Sequence, residues 1–321
     1  MTRGSVVDVE WSTIGEEYGF ASCTGRVALR FDAADDDAPS SLVAKLPTHG
    51  VREVRFYREV PGAPRPALYY ADADDAELRA ILLLEDLTQA RQGDVLAGCS
   101  VEDARRVLGA VAPFHARHWH AEAAPPWLRG DTRDPLARQA RFDELLPRFL
   151  ELQDATLPAD VRDLVERLRS RLADVIARLD GSATTLIHWD LQLDNVLFDA
   201  GLDRRVAVLD WETVRVGNPA WDVASFLYGS LDVGARREAE EKLLDEYVAL
   251  LVEHGVRRYD GGRLLRDCRL ALLVLLAANV GWLAQAPPGR DRERALRDAV
   301  FSDGRLVAAL LDHDVGSLLE P

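Results

Sequence analysis

Three short strand-like runs interrupt a helical sequence in the middle of this 321-residue chain. They read TLIHWD, NVLFD and RVAVLD, and they fall between residues 183 and 210. Short runs rich in apolar and β-branched residues, bounded by polar residues, are typical of strands. The chain therefore has to fold a small β-structure within a helical region.

The remaining sequence changes character at about Leu87. Before this residue, SLVAKLP, LYYADAD and AILLLEDL read as strands, and residues 51–60 read as one helix. After it, apolar residues recur at helical spacing. We predict an α+β fold with a β-rich N-terminal lobe over residues 1–87 and a mostly helical C-terminal lobe over residues 88–321. The predicted helices of the second lobe span residues 101–119, 141–152, 158–179, 238–254, 262–286 and 291–311.

Charge and cysteine content restrict the classes of partner. With 39 basic and 54 acidic residues, the net charge is −15, which argues against nucleic acid or an anionic membrane surface and favours a cationic small molecule. Cys23, Cys99 and Cys268 are isolated, so neither a disulfide framework nor a zinc site is expected. The N-terminus lacks an apolar signal core, and the apolar run over residues 270–284 is too short to span a bilayer. We predict a cytoplasmic protein in which that run is a buried core helix.

The central runs carry His188, Asp190 and Asn195 in an H-x-D-x-x-x-x-N spacing, and Asp210 ends the third run. This layout fits phosphoryl transfer to a hydroxyl group, with Asp190 as the base that orients the hydroxyl and accepts its proton. Asn195 and Asp210 provide the hard oxygen ligands that Mg²⁺ prefers. An isolated aspartate would instead cap a turn, so it is the spacing that favours catalysis.

Two further residues are predicted to support this loop. We expect His188 to brace it through hydrogen bonds, because no second histidine lies nearby to complete a metal site. Asp222, in NPAWDVASFL, has two interpretations of equal weight. It either caps the N-terminus of a helix or holds the loop around Asp190.

Lys45 is one of only two lysines and lies in the apolar segment SLVAKLP. A lysine on a buried strand needs a fixed anion. Glu53 shares one helical stripe with Phe56, Tyr57 and Val60, so it faces the core. We therefore predict a Lys45–Glu53 ion pair, and a surface position for Glu53 is the alternative.

Residues 19–25 read as a turn between two strands. Such a turn can lie over phosphate groups and donate backbone N–H groups to them, and Ser22 and Thr24 would add hydroxyl donors. The signal is weak, because hairpin turns routinely contain glycines.

Taken together, these segments resemble the aminoglycoside phosphotransferase and choline kinase superfamily, which has a protein-kinase-like fold. Within it, the chain is most similar to the ecdysteroid kinase-like group. The resemblance runs from about residue 22 to residue 231 and rests on six segments in order: VAKLP, REVRFYREV, LLLEDL, LGAVAPFHARHW, HWDLQLDNVLF and LDWETVRVGNPAWDVASFLYGSL.

The resemblance implies an ATP-dependent small-molecule O-phosphotransferase, with GTP as an alternative donor. It implies that Asp190 is the base, that Asn195 and Asp210 bind Mg²⁺, that Lys45 binds phosphates, and that Glu53 orients Lys45. The acceptor would be an aminoglycoside-like antibiotic, an amino alcohol or another hydroxylated metabolite. Neither the acceptor nor the oligomeric state follows from the sequence.

The chain departs from the family pattern at three places. Trp189 stands where the family commonly has glycine, which adds bulk beside the base and would shape the acceptor pocket. Asp210 is followed by Trp211 and Glu212 instead of Phe-Gly, which argues against a protein kinase. The turn over residues 19–25 matches the phosphate-binding glycine loop of the family only poorly.

Two other functions compete with phosphotransfer as explanations of these residues. A catalytically silent nucleotide-binding protein with a regulatory role would usually lack one of Lys45, Asp190, Asn195 and Asp210. A metal-dependent hydrolase using His188, Asp190 and Asp210 would need more clustered His and Asp ligands than the sequence offers.

Overall fold

The computed structural model of the chain describes residues 4–14, 22–33, 38–47, 51–74, 79–121, 124–129, 134–153, 157–201, 203–285 and 304–320. Its contacts divide the chain into two compact units. The first unit comprises Met1–Gln92 and Asp194–Val214, and the second comprises Gly93–Leu193 and Arg215–Pro321. Residues 194–214 thus group with the N-terminal strands, although the sequence-based boundary placed them in the lobe that begins at residue 88. That lobe boundary stays a prediction.

The described elements are numbered in chain order. The strands are β1 (Val6–Thr13), β2 (Ser22–Phe31), β3 (Ser41–Pro47), β4 (Leu68–Asp74), β5 (Arg79–Glu85), β6 (Arg91–Gln92), β7 (Thr185–Ile187), β8 (Val196–Ala200), β9 (Arg205–Val208) and β10 (Arg215–Gly217). The helices are α1 (Arg52–Glu59), α2 (Val101–Arg117), α3 (Pro126–Arg129), α4 (Pro135–Leu152), α5 (Ala159–Leu168), α6 (Leu172–Asp180), α7 (Ala220–Ser230), α8 (Val233–Glu253), α9 (Gly261–Gln285) and α10 (Arg305–Asp312).

The first unit is built on an antiparallel sheet in the order β1-β2-β3-β5-β4. In β3, Leu42 and Ala44 are buried, and Lys45 belongs to the alternate set of side chains, as the period of two in a strand requires. A second sheet, β6-β8-β9, contains two of the three central runs. The predicted mixture of strands and one helix is confirmed.

Helix α1 shares a core with the segment that follows β9. The ring of Phe56 stacks on Trp211, with centroids 4.5 Å apart and an interplanar angle of 9°. The indole N–H of Trp211 donates to the carbonyl of Val208 at 2.8 Å. Stacked aromatic pairs of this kind contribute about 1 kcal/mol beyond the area that they bury. They fix residues 208–211 against the helix that carries Glu53.

The turn predicted over residues 19–25 is wrong at its C-terminal end. Residues 15–21 lie outside the described ranges, but Ser22 and Thr24 belong to β2, where Thr24 pairs with Lys45 across the sheet. Gly25 is also within β2, beneath the ring of Trp11. A Cβ atom at Gly25 would lie 2.1 Å from that ring, so this glycine leaves room for the Trp11 side chain over the strand and is not a turn residue.

The second unit is mainly helical, as predicted, with the antiparallel ribbon β7–β10 inside it. The prediction of a single helix over residues 158–179 is wrong, because these residues form two helices, α5 and α6. Arg171 lies between them in a non-helical conformation, with φ −127° and ψ −11°. Because Leu168 and Leu172 are one helical turn apart, the apolar pattern continues across the break and conceals it.

The remaining helix predictions find the right helices, but α4 begins six residues before the predicted 141 and α8 begins five residues before the predicted 238. Two further predictions need qualification. Residues 118–121 do not extend α2 but form a short 3₁₀ turn, Trp119–Ala121, in which His120 has φ 64°. The prediction over residues 291–311 lies partly outside the described ranges, and α10 is the part that is described.

Helix α9 is longer than the apolar run that suggested it. It has 25 residues and, by length and composition alone, could cross a membrane. The prediction that this segment is too short to span a bilayer is therefore wrong. The buried residues of α9 are spread around the helix, because every residue from Leu270 to Ala277 is buried. A helix that is apolar on all sides suits the centre of a folded unit, so α9 packs as the predicted core helix.

Candidate functional site

Lys45 is at the centre of an ion-pair network within the first unit. Its Nζ atom lies 2.7 Å from Glu53 Oε2 and donates to Asp210 Oδ1 at 2.9 Å. The side chain of Glu53 is 1% exposed, and that of Asp210 is 35% exposed. The structure thus brings together three predicted site residues that are distant in sequence.

Burial and charge oppose each other in this network. Burial would lower the pKa of Lys45, but the attraction of Glu53 and Asp210 outweighs it and raises that pKa. Burial raises the pKa of Glu53, and Lys45 partly offsets this rise. A buried ion pair holds its geometry because each charge would be left without compensation if the other moved. The network therefore fixes the ammonium of Lys45 next to the more exposed Asp210.

The backbone N–H groups on either side of Asp210 position it relative to Asn195 and Glu53. The N–H of Leu209 donates to the carbonyl of Asn195 at 2.8 Å, and the N–H of Trp211 donates to Glu53 Oε1 at 3.2 Å. Asp210 itself has φ 61° and ψ 62°. A non-glycine residue in this left-handed region is strained by about 1 kcal/mol or more, and such strain is concentrated at functional sites.

The residues present fit a magnesium ion that is shared with a nucleotide. Asn195 directly precedes β8 and Asp210 follows β9, and these strands pair through Val196 and Val208. One amide and one carboxylate supply two hard oxygen ligands. Within the described ranges no group of three or more His, Cys, Asp and Glu side chains could hold a metal ion. Mg²⁺ commonly binds through one or two carboxylates together with substrate phosphates and waters, which matches so small a donor set.

In the second unit, Asp222 accepts hydrogen bonds from the loop that precedes Asp190. Its Oδ2 accepts the backbone N–H of His188 at 2.7 Å, and its Oδ1 accepts that of Trp189 at 2.9 Å. Helix α7 has Pro219 as its N-cap residue, so the expectation that Asp222 caps this helix is wrong. The other interpretation, that Asp222 holds the loop, is the one that this geometry supports.

Two residues that the sequence analysis missed complete this buried network. His115 Nε2 lies 3.3 Å from Asp222 Oδ2, and His115 Nδ1 shares a hydrogen bond of 2.7 Å with the hydroxyl of Tyr247. His115 lies among the apolar positions of α2, such as Val111. A titratable residue on an apolar helical stripe needs a buried partner, and this signal would have identified it.

Asp190 lies in the loop after β7. The amide of Gln192 donates to Asp190 Oδ2 at 3.4 Å, a long and therefore weak hydrogen bond. The side chain of His188 is buried, and its bracing role stays a prediction, as does the catalytic role of Asp190.

Trp189 has a backbone conformation that normally favours glycine. Its φ is 75°, so the glycine that the resemblance leads one to expect here has a physical reason. The indole stacks on that of Trp221, with centroids 3.9 Å apart and planes 4° apart. Trp221 also donates its indole N–H to the carbonyl of Trp189 at 2.7 Å, and Arg215 lies 4.0 Å from the centroid of the Trp189 ring. These contacts hold a strained residue in place.

Structural comparison identifies the fold. The structure resembles choline kinase from Cryptosporidium parvum with a TM-score of 0.60, at 11% identity, over 97% of this chain and 93% of that chain. It resembles macrolide 2′-phosphotransferase MphH from Brachybacterium faecium with a TM-score of 0.52, at 20% identity, over 94% of both chains. The fold is that of the kinase-like small-molecule phosphotransferases.

Sequence comparison identifies the family. Residues 52–257 match the ecdysteroid kinase-like family, and the chain belongs to it. The chain is 25% identical over 255 residues to "Uncharacterized kinase-like protein D1044.1" of Caenorhabditis elegans. This match covers 71% of this chain and 64% of that protein. A 70-residue match to acyl-CoA dehydrogenase family member 11 of Homo sapiens is 39% identical and covers 22% of this chain and 8% of that protein. The chain thus spans less than two thirds of the length of these relatives.

Proposed function

We propose that this chain transfers the γ-phosphoryl group of ATP to a hydroxyl group of a small molecule. The observation that carries the proposal is the ion-pair network of Lys45 with Glu53 and Asp210. A lysine held by a buried glutamate, next to a carboxylate that can bind metal, is the arrangement with which kinase-like enzymes position nucleotide phosphates.

The proposed roles follow the chemistry of each side chain. Lys45 would hold phosphate oxygens as a compact point charge. Asn195 and Asp210 would hold Mg²⁺, which neutralises charge on the phosphates when it is bound. Asp190 would orient the acceptor hydroxyl and take its proton.

In the proposed reaction, the acceptor oxygen forms a bond to the γ-phosphorus, and the bond from that phosphorus to the β–γ bridging oxygen breaks. ADP leaves with the bonding electron pair, and the hydroxyl proton passes to Asp190.

The acceptor is proposed only as a class. The structural relatives include proteins named as choline, ethanolamine and macrolide phosphotransferases. The net charge of −15 favours a cationic acceptor among them. An amino alcohol or a hydroxylated amine is therefore the first class to test.

The test is an ATP-consumption screen against choline, ethanolamine, macrolides, aminoglycosides and hydroxylated sterols, with product mass as the readout. We expect one class to show Mg²⁺-dependent formation of a phosphate monoester, which Asp210→Asn abolishes. Asp203→Asn is the matched control, because Asp203 is an exposed aspartate of the first unit that pairs with Arg205.

Binding of Mg²⁺-ATP without turnover of any acceptor would favour the alternative, a catalytically silent nucleotide-binding protein. Turnover that persists at the wild-type level in Asp210→Asn would refute the proposed metal site.

A further inference from the structure

The second unit contains a cavity whose lining includes none of the residues proposed to bind nucleotide, bind metal or accept the proton. Its volume is about 170 Å³, and its walls come from α4, α6, α7, α9 and the ribbon β7–β10. An apolar cavity of about 150 Å³ can hold a molecule of benzene. The volume therefore suits a ligand of roughly six non-hydrogen atoms.

One wall of this cavity is the strained Trp189, together with its stacking partner Trp221. Trp221 covers one face of the Trp189 indole at 3.9 Å. Arg215, whose central carbon is 4.0 Å from the ring centroid, must therefore lie over the opposite face. Neither face of Trp189 is left for a ligand, so the tryptophan pair shapes the wall and presents its edges.

The polar part of the lining contains charges of both signs. The central carbon of Arg138 lies 5.2 Å from the centroid of the Trp189 ring, so it joins Arg215 near that indole. Asp180, at the end of α6, supplies a carboxylate. Two guanidinium groups and one carboxylate give the lining a positive balance, although the whole chain carries a net charge of −15. This local reversal of sign favours an anionic group in the ligand.

The Asp180 carboxylate adds a second requirement for a ligand. Asp180 is exposed at the helix end, yet the atoms packed around its carboxyl raise its pKa, and the attraction of Arg138 opposes that rise. Such a carboxylate is stabilised by a hydrogen-bond donor. Arg215 is only 7% exposed, and a guanidinium that is partly removed from water binds a carboxylate more strongly.

We propose that this cavity binds a small carboxylate that also carries a hydroxyl or ammonium group. The carboxylate of the ligand would face Arg138 and Arg215, and its donor group would face Asp180. Apolar side chains such as Ile176 and Val274 line the remaining wall and would contact the carbon atoms of the ligand. None of the proposed nucleotide or metal ligands lines the cavity, so binding can be tested without nucleotide or Mg²⁺.

The test uses four small probes with the full chain: L-lactate, L-alanine, propionate and 1,2-propanediol. L-lactate and L-alanine carry both groups, propionate lacks the donor, and the diol lacks the carboxylate. Binding is measured by isothermal titration calorimetry and by intrinsic tryptophan fluorescence. We expect saturable binding of L-lactate or L-alanine with a dissociation constant on the order of 1 mM. Propionate and the diol should bind about tenfold more weakly.

Arg138→Gln should weaken L-lactate binding about tenfold, and Asp180→Asn should weaken L-alanine more than L-lactate because it removes the charge opposite the ammonium. Arg141→Gln is the matched control. Arg141 lies on the same helix, pairs with Glu144 at 2.6 Å and is not among the lining residues. Its substitution should leave binding unchanged. Lys45→Met should also bind L-lactate like the wild type, even if no kinase activity is ever found.

Three outcomes would overturn the proposal. The first is the absence of saturable binding of both L-lactate and L-alanine at tens of millimolar. The second is equal weakening by Arg138→Gln and Arg141→Gln, and the third is binding that neither Arg138→Gln nor Asp180→Asn alters. Thermal unfolding of each variant checks that a loss of binding is not a loss of fold.

Discussion

Lys45 Nζ and Glu53 Oε2 lie 2.7 Å apart, and the two residues come from β3 and α1 of the same unit. The carboxylate has almost no solvent exposure, so it is compensated mainly by this ammonium. The pair therefore links the stability of the first unit to the position of the side chain that would contact phosphate.

Glu53→Gln removes the buried negative charge and leaves the partly buried Lys45 with Asp210 alone. We expect the free energy of unfolding to fall by about 2–4 kcal/mol, near the lower end because Asp210 remains. Urea denaturation measures the change. Glu59→Gln on the exposed side of the same helix should change stability by less than about 0.5 kcal/mol, and equal effects of the two variants would contradict the importance of the pair.

Asp190→Asn removes the proposed base with little change in shape. We expect turnover of an identified acceptor to fall about 10²–10⁴-fold, whereas ATP affinity measured by calorimetry should remain close to that of the wild type. Asp174→Asn, at an exposed position on α6, is the control and should retain turnover. Undiminished turnover in Asp190→Asn would show that another group accepts the proton.

Asp222→Asn replaces a carboxylate whose two oxygens both accept backbone N–H groups. The amide group of asparagine can accept through only one atom, so one buried N–H group of the loop loses its partner. We expect a loss of about 1–3 kcal/mol in the free energy of unfolding. Tyr247→Phe deprives only His115 of a partner, and it should cause the smaller loss of the two. The reverse order would mean that Asp222 is not the centre of the network.

Trp189→Gly and Trp189→Ala both remove the stacked indole, but they differ in backbone freedom. At φ 75°, glycine has no strain, whereas alanine is strained by about 1–2 kcal/mol. Glycine is also more flexible in the unfolded state, which offsets part of that difference. We expect Trp189→Gly to be more stable than Trp189→Ala by about 0.5–1 kcal/mol in urea denaturation. Equal stabilities would indicate that the loop has relaxed out of the left-handed region.

Asp312 gives the second unit a pH-dependent contribution to stability. Hydrogen bonds from Arg237, at 2.8 and 2.9 Å, and from the buried Arg236 lower its pKa from 3.8 to about 2. A lowered pKa stabilises the folded state above the unfolded value, so this contribution is present above pH 4 and is lost between pH 4 and pH 2. Allowing for partial exposure to solvent, we estimate about 1–2 kcal/mol.

Asp312→Asn tests this contribution. The variant should be less stable than the wild type at pH 5, and the difference should shrink as the pH falls towards 2. Thermal unfolding at several pH values measures it. A difference that does not depend on pH would rule out ionisation of Asp312 as its source.

The sequence predicted those features that depend on local pattern and chemical type. Glu53 was identified from its place on an apolar stripe, and its partner Lys45 from a charge in an apolar strand. The break between α5 and α6 escaped prediction because the spacing from Leu168 to Leu172 is the same in one helix or in two. The apolar pattern alone therefore does not distinguish one helix from two.

Other parts of the site were hidden because they are made by contacts between distant segments. Asp222 looked equally suited to a helix cap, and only its distances to His188 and Trp189 separate the two roles. The left-handed conformation of Trp189 has no signal in residue type, because tryptophan rarely adopts it. The resemblance flagged this position, and the structure supplies the reason in the stacking with Trp221.

The first unit is discontinuous in the chain, because residues 194–214 return to it after a hundred residues of the second unit. A gene fragment that ends after Gln92 would encode the five-stranded sheet without β8 and β9, and without the Trp211 ring that covers Phe56. The first unit therefore cannot be transferred between proteins as one continuous stretch of sequence. An exchange that preserves it has to carry both stretches together, because the segment bearing Asn195 and Asp210 belongs to the same unit as the N-terminal strands.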